Sequence, residues 1–253
     1  MIANYHTHTA RCGHATGTEE EYIKAAIGSG IKILGFSDHV PYPFDDGFVS
    51  TVRMRVDQTE DYVNTLVSLR EKYKDKIKIY IGYETEYFRN LFSACLDNLL
   101  KYELDYLILG QHYRESESLY PYNGSPTEDI DDVKIYVSEC IEALETGKFL
   151  YIAHPDLINY VGSKTSEYKT CMNELCVAAK SLDIPLEWNI LGMKGNRNYP
   201  SDTFFELAAK NDNKIILGVD AHSADALSDT ASFEEAKRRV NAFGLSITDS
   251  LDL

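Results

Sequence analysis

The sequence predicts an α/β fold, a closed (β/α)7 barrel, and three observations carry that prediction. Apolar runs and amphipathic stretches alternate strictly along all 253 residues, with no low-complexity tract and no linker between them. The apolar runs have strand length and are apolar on both faces, as parallel strands covered by helices must be. They number seven, more than an open sheet of this kind usually carries, and one α/β barrel suits a chain of this length. Residues 1–253 therefore read as a single domain.

The seven runs lie at 2–6, 31–36, 77–83, 104–110, 148–153, 184–189 and 214–219 and are rich in Ile, Leu, Val and Tyr. After the first, Thr18-Glu19-Glu20-Glu21 opens a helix, because the Thr18 hydroxyl can cap it and Glu21 can reach back. Gly28 and Gly30 end that helix. Residues 57–75 set Tyr62, Leu66, Leu69 and Tyr73 on one helical stripe. The stretch 127–147 opens with Thr127 before an acidic turn and closes at Gly147. Further helices are expected at 90–101, 166–182, 201–211 and 232–242.

Hydrophobic residues make up 44% and charged residues 26%, a balance that builds a core and excludes collagenous or wholly disordered chains. No run approaches the ~18 apolar residues of a membrane helix, and the start lacks a basic-then-apolar leader, so a cytoplasmic protein without a membrane partner is expected. Forty acidic against 25 basic residues give a net charge of −15, which repels nucleic acid as a bulk partner and attracts cations. The five cysteines (Cys12, Cys95, Cys140, Cys171 and Cys176) are scattered and never spaced as close zinc-site pairs, which reads as free thiols in a reducing compartment. Cys12 stands between two histidines, but a small buried thiol is the preferred reading.

All seven histidines fall at or just beyond the C-terminal ends of the expected strands: His6 and His8, His14, His39, His112, His154 and His222. In a barrel those ends share one face, so residues far apart in sequence converge on one cavity. Any single histidine here reads as a capping, surface or core group; all seven together do not. In His6-Thr7-His8, alternation sends both imidazoles to one side, where they can chelate one metal. Glu84 and Asp220 add carboxylates at two further strand ends. Nine potential ligands exceed what one ion takes, so two or three metals are implied, with Glu84 or Asp220 as bridges.

With these motifs in place, the sequence resembles the PHP (polymerase and histidinol phosphatase) superfamily, and within it the stand-alone histidinol-phosphate phosphatases. The resemblance spans His6 to His222 and implies a distorted (β/α)7 TIM-like barrel with a trinuclear site. It implies that His6, His8, Glu84 and Asp220 hold one metal, Glu84, His112 and His154 a second, and His14, His39 and His222 a third. The ions would be zinc, iron or manganese. Glu187-Trp188-Asn189 and Arg197 carry the likeness to the phosphatase branch, which places Asn189 and Arg197, with His222, on the substrate side. Gln111 departs from the pattern, since a small residue more often precedes the histidine there.

The chemistry these residues allow is hydrolysis of a small phosphate ester to an alcohol and inorganic phosphate, and the resemblance implies L-histidinol phosphate as that ester. A hydroxide bridging two metals would attack phosphorus while Arg197 and the third metal hold the other oxygens. Asp38 is a candidate general acid, although orienting a ligand histidine is the preferred role. Arg11, Arg89, Arg114 and Lys194 read as solvated charges. Tyr42, Phe44 and Tyr113 read as rim packing or partners of an imidazole ring, and Asp45, Asp46 or Glu86 could pair with a substrate amine. Three alternatives remain. Amidohydrolases share the opening His-x-His but use a strand-four lysine, where this chain has His112. A PHP phosphoesterase acting on nucleotides would present the same metal site. A non-catalytic metal-binding module should have lost ligands.

Overall fold

Six parallel strands form in the computed structural model, which describes residues 1–44, 46–163 and 165–253. They are β1 (Ala3–Asn4), β2 (Ile33–His39), β3 (Lys78–Thr85), β4 (Tyr106–Leu109), β5 (Leu186–Asn189) and β6 (Ile215–Gly218). The first four pair in sequence order and the last two pair with each other, all parallel. Eight helices surround them: α1 (Glu19–Gly28), α2 (Thr59–Tyr73), α3 (Phe92–Leu99), α4 (Ile130–Glu145), α5 (Ser166–Ser181), α6 (Ile190–Lys194), α7 (Asp202–Lys210) and α8 (Thr230–Ala242).

Two seams join the sheets into a distorted barrel. Ile152 bridges Leu109 of β4 on one side and Leu186 of β5 on the other. The strand expected at 148–153 is thus reduced to a short bridging segment. Pro185 has no N–H to extend the second ladder, and His154 leaves the extended region with φ of 31°. The other seam lies between the strand ends of β6 and β1, where Thr7 bridges Ala221 and the Val219 N–H donates to Asn4 Oδ1 at 2.8 Å.

Alternation along the strands sorts the core into two layers. Ile79, Ile81 and Tyr83 of β3, with Leu107 and Leu109 of β4, pack outward against the helices. Tyr80, Tyr106, Ile108 and Ile216 turn inward and fill the barrel with Ala3, Tyr5 and Tyr151. The same parity that points Tyr80 inward brings Glu84 to the inside at the C-terminal end of β3, and it sends Glu187 and Asn189 of β5 inward in alternation with the outward Leu186 and Trp188. The barrel floor is therefore apolar and aromatic, and its upper face receives the polar side chains.

Local signals account for most boundaries. Thr18 and Glu21 form the expected capping box of α1. Helix α4 begins two residues later than its acidic opening suggested, capped by Asp129, while the Thr127 hydroxyl bonds Asp132 instead. The short α6 was not expected; the Asn189 side chain caps it by accepting from the Gly192 N–H at 2.7 Å.

Candidate metal centre and active site

Eight of the nine sequence-derived candidate ligands line one cavity of about 530 Å³ at the C-terminal face, and His6, fully buried, meets them from beneath it. Strand register explains part of this convergence, since His39 of β2 and Glu84 of β3 are Cα neighbours. Glu84 stands at the centre. Its Oε1 lies 2.8 Å from His154 Nε2, 3.3 Å from His112 Nε2 and 3.5 Å from His6 Nε2. Its Oε2 lies 3.2 Å from His39 Nδ1 and 3.5 Å from His8 Nε2. A Cβ at Gly110 would come within 2.2 Å of Glu84 Oε1, so glycine there is what seats the carboxylate.

Asp220 faces the same point from just beyond the C-terminal end of β6, with Oδ1 at 3.2 Å from His8 Nε2 and 3.6 Å from His6 Nε2. His6 and His8 turn their Nε2 atoms to within 3.2 Å of each other. Towards the rim, ligand atoms of His14, His39 and His222 lie within 4.8 Å of one another. Both His154 and Asp220 hold left-handed backbone, φ 31° and 53°, a conformation that costs about 1–3 kcal/mol in a residue with a side chain and persists only where its surroundings impose it.

The electrostatics of this cluster suit cations. Glu84, Asp220, Glu187 and Asp38 are all buried, and Glu84 Oε2, Asp220 Oδ1 and His39 Nδ1 make no hydrogen bond. Burial disfavours ionising Glu84 and Asp220. The imidazoles of His112, His6 and His39 nevertheless hold the Glu84 carboxyl well below its ordinary range, and His6 with His8 and His222 does the same for Asp220. Against the same burial, Asp220, Asp38 and Glu84 raise His8 to about 9, while Glu84 and Glu86 raise His112 to about 10. Burial and the neighbouring His8 instead push His222 down to about 4 and His39 well down. Paired carboxylates among converging lone pairs form a hard, nitrogen- and oxygen-rich donor set that fits zinc, iron or manganese.

Behind this shell lie buried carboxylates, of which the sequence reading gave only Asp38 the role of orienting a ligand histidine. Glu187 accepts from His6 Nδ1 at 2.8 Å, and Glu86 from His112 Nδ1 at 3.0 Å. Asp38 faces His8 Nδ1 at 3.5 Å, accepts from the His39 N–H at 2.8 Å and is bonded by the Thr9 hydroxyl. It is fully buried and does not line the cavity, which fits the orienting role rather than proton donation to a leaving group. Glu86 is gripped through both oxygens by Arg53, which also bonds Glu117 at 2.7 Å. That pairing takes Glu86 away from the amine-binding role suggested for it. Asp46 bonds Ser118, and Asp45 lies outside the described residues.

Arg197 lines the cavity, with Nη1 donating to the Tyr199 hydroxyl at 2.6 Å. Asn189, expected at the phosphate, is committed elsewhere: Nδ2 donates to Glu187 at 2.9 Å and Asp220 at 3.2 Å, and Oδ1 caps α6. It braces the site from behind. Arg11, Arg89 and Lys194 sit in ion pairs with Glu19, Glu142 and Asp229, and Arg114 lies over the Tyr120 ring, all away from the cavity lining. Tyr42 packs on Phe88 at the rim, and Tyr122 is the ring that stacks on His112, with centroids 6.2 Å apart. Gln111 is buried and ties Tyr87, Tyr113 and Glu139 together beside His112.

Residues 4–190 match the model of the PHP domain family. The chain belongs to the PHP domain family. It is 27% identical over 227 residues to a Deinococcus radiodurans protein named "Probable histidinol-phosphatase", covering 87% of this chain and 86% of that one. Identity with the "Histidinol-phosphatase" of Bacillus subtilis is 24% over 252 residues, covering 87% and 92%. The PHP fold is shared with the histidinol phosphate phosphatase of Lactococcus lactis subsp. lactis, a structure complexed with zinc, L-histidinol and phosphate. The TM-score is 0.75 at 20% identity, over 97% of this chain and 95% of that one. Among the described residues no helix is long and apolar enough to cross a membrane.

Proposed function

We propose that this PHP protein is a metal-dependent phosphomonoesterase whose substrate is L-histidinol phosphate. The observation that carries the reading is the convergence of nine metal-type ligands, eight of them lining one cavity with Arg197, in a chain whose relatives are named "Probable histidinol-phosphatase" and "Histidinol-phosphatase". His6, His8, Glu84 and Asp220 would hold one ion, Glu84, His112 and His154 a second, and His14, His39 and His222 a third. Bound there, the ions supply Lewis acidity, an activated water and neutralisation of phosphate charge.

The chain's own residues complete the chemistry. The Arg197 guanidinium, held by Tyr199, offers its remaining N–H groups to the non-bridging phosphate oxygens. Asp38 and Glu86 orient His8 and His112 so that their inner nitrogens face the reacting centre. Tyr113, Tyr122 and Leu191 wall the cavity where the organic half of the ester would lie, a surface suited to a flat ring. Inorganic phosphate is then both product and inhibitor. All five cysteines are free and buried, which supports a reducing compartment, the cytoplasm.

The test is turnover of histidinol phosphate, p-nitrophenyl phosphate, mononucleotides and a phosphodiester, with metal content measured on the same sample. Histidinol phosphate should have the highest kcat/KM. A preference for mononucleotides would move the substrate to the nucleotide branch, and no turnover at full metal content would leave a binding module.

A further inference from the structure

The carboxylate of Glu187 is fully buried beneath the cavity, and His6 is its only ion-pair partner within 4 Å among the described residues. Oε1 accepts from His6 Nδ1 at 2.8 Å, while Oε2 accepts from the backbone N–H of His154 at 2.9 Å and from Asn189 Nδ2 at 2.9 Å. The Asn189 amide also reaches Asp220 Oδ2 at 3.2 Å. One side chain thus touches His6 and the backbone of His154, and through one amide Asp220, although these come from three separate segments of the chain.

A carboxylate only accepts, so His6 must carry its proton on Nδ1 and, when neutral, present the Nε2 lone pair. That Nε2 is the atom that faces His8, Glu84 and Asp220. The seat is built for the carboxylate. Gly218 is the Cα neighbour of Asn189 across β5 and β6, and a Cβ on it would lie 1.7 Å from Glu187 Oε1. The sharp left-handed turn at His154 is fastened at its N–H by the other oxygen.

We propose that Glu187 is a positioning residue for metal binding: it fixes His6 as an Nε2 ligand and holds His154 and Asp220 in register around the same point. The proposal rests on the metal-centre reading above. Its bland alternative is a buried brace that stabilises the fold and leaves affinity for metal unchanged.

Metal-stripped wild type, Glu187→Gln and Gly218→Ala should be titrated with Zn²⁺ against a chromogenic chelator, with the visible spectrum of the Co²⁺-loaded forms recorded alongside. Glu187→Gln keeps the shape but sets an NH₂ against a donor, and Gly218→Ala displaces the carboxylate without removing it. Both should weaken the tightest zinc site by about 10- to 100-fold and change the Co²⁺ bands, while the metal-free circular dichroism spectrum stays that of wild type. Folded variants that bind zinc as wild type does would overturn the proposal and leave the metal centre standing. Wild type that itself takes up no zinc would remove both. Should neither variant fold, the nitrogen-15 shifts of His6 in zinc-loaded wild type decide: protonation on Nδ1 supports the proposal, and protonation on Nε2 overturns it.

Discussion

The two halves of the histidine cluster are held by different chemistry. In the inner half, His6, His8 and His112 each turn Nδ1 toward a buried carboxylate, Glu187, Asp38 and Glu86 respectively, and share Glu84 in front of them. At the rim, His14 Nδ1 bonds only the Cys12 carbonyl at 3.0 Å, and His222 Nδ1 bonds the Asp220 carbonyl at 3.0 Å with the carboxylate of Asp220, itself a candidate ligand, at 3.3 Å. His14 is exposed, whereas His6 and His8 are buried. A carboxylate behind an imidazole raises its basicity and its strength as a ligand more than a carbonyl does. The difference teaches that metals in this site should be bound unequally, tightly inside and loosely at the rim.

The largest effect should come from the group the inner half shares. Glu84→Gln keeps the outline of the side chain but removes the anion that lies within 3.5 Å of five imidazoles. Hydrolysis should fall on the order of 10³-fold or more, with loss of inner metal, while the circular dichroism spectrum is kept. Asp220→Asn should follow the same course. Normal turnover at full metal content in either variant would remove that residue from the centre.

Arg197 belongs to neither half, and its substitution should leave both sets of ions in place. Arg197→Ala should cost on the order of 2–4 kcal/mol in transition-state stabilisation, roughly 30- to 1,000-fold in kcat/KM. Arg197→Lys should recover little, because a point charge cannot reproduce two parallel hydrogen bonds. Elemental analysis at wild-type metal content, together with weaker phosphate inhibition, would separate this from damage to the centre. Unchanged kcat/KM for every ester would make Arg197 a surface charge.

The contrast between the halves was only partly legible in the sequence. Each ligand histidine sits at a strand end, and strand ends of a barrel share a face, so convergence followed from topology alone. The braces did not. Glu187 stands between Leu186 and Trp188 and shares the inward parity of Asn189, and an isolated charge in an apolar strand is a usable signal of a buried partner. Its partner His6 lies 181 residues away, a distance that no local pattern encodes. Arg53 and Glu86 come from different segments that meet only after folding. The fifth strand was cut short by the turn at His154 and by Pro185 in the neighbouring strand, whereas β2 and β3, apolar over most of their length and ending in polar residues, formed as their patterns required.

Removing single imidazoles tests the ranking directly. His6→Ala should empty the inner position and lower the metal content by at least one tightly held ion. His14→Ala should be milder: the exposed ring contributes to the rim only, and excess metal in the assay should restore most of the activity. Equal metal loss in the two variants after identical dialysis would contradict the unequal binding drawn from their partners.

The smallest expected effect is a slope of melting temperature against pH, and it distinguishes the halves without any substrate. In metal-free protein His8 and His112 titrate near 9 and 10, above the ordinary imidazole, because Asp220, Asp38, Glu84 and Glu86 outweigh burial. A group with a raised folded pKa stabilises fully below its unfolded value, about 6.5, and loses that contribution as pH climbs to the folded one. His222 is lowered to about 4, so its contribution is present above 6.5 and is lost only as pH falls toward 4. Between pH 7.5 and 8.5 the melting temperature of metal-free protein should therefore decline, on the order of a few degrees. That window lies above the titration of Glu139, raised by burial to about 7, and its upper end only approaches the ordinary thiol value of 9.0, from which the buried Cys12 and Cys95, raised to about 12, add their own loss equally in every variant. His112→Gln should make the slope shallower, because it removes one of the inner protons held by His6, His8 and His112, and His222→Gln should leave it unchanged. Zinc-loaded protein should show no decline, since zinc replaces those protons and binds more tightly as pH rises. A metal-free melting temperature that climbs across the window, or a rim variant that flattens it as much as His112→Gln does, would mean that carboxylates brace both halves alike.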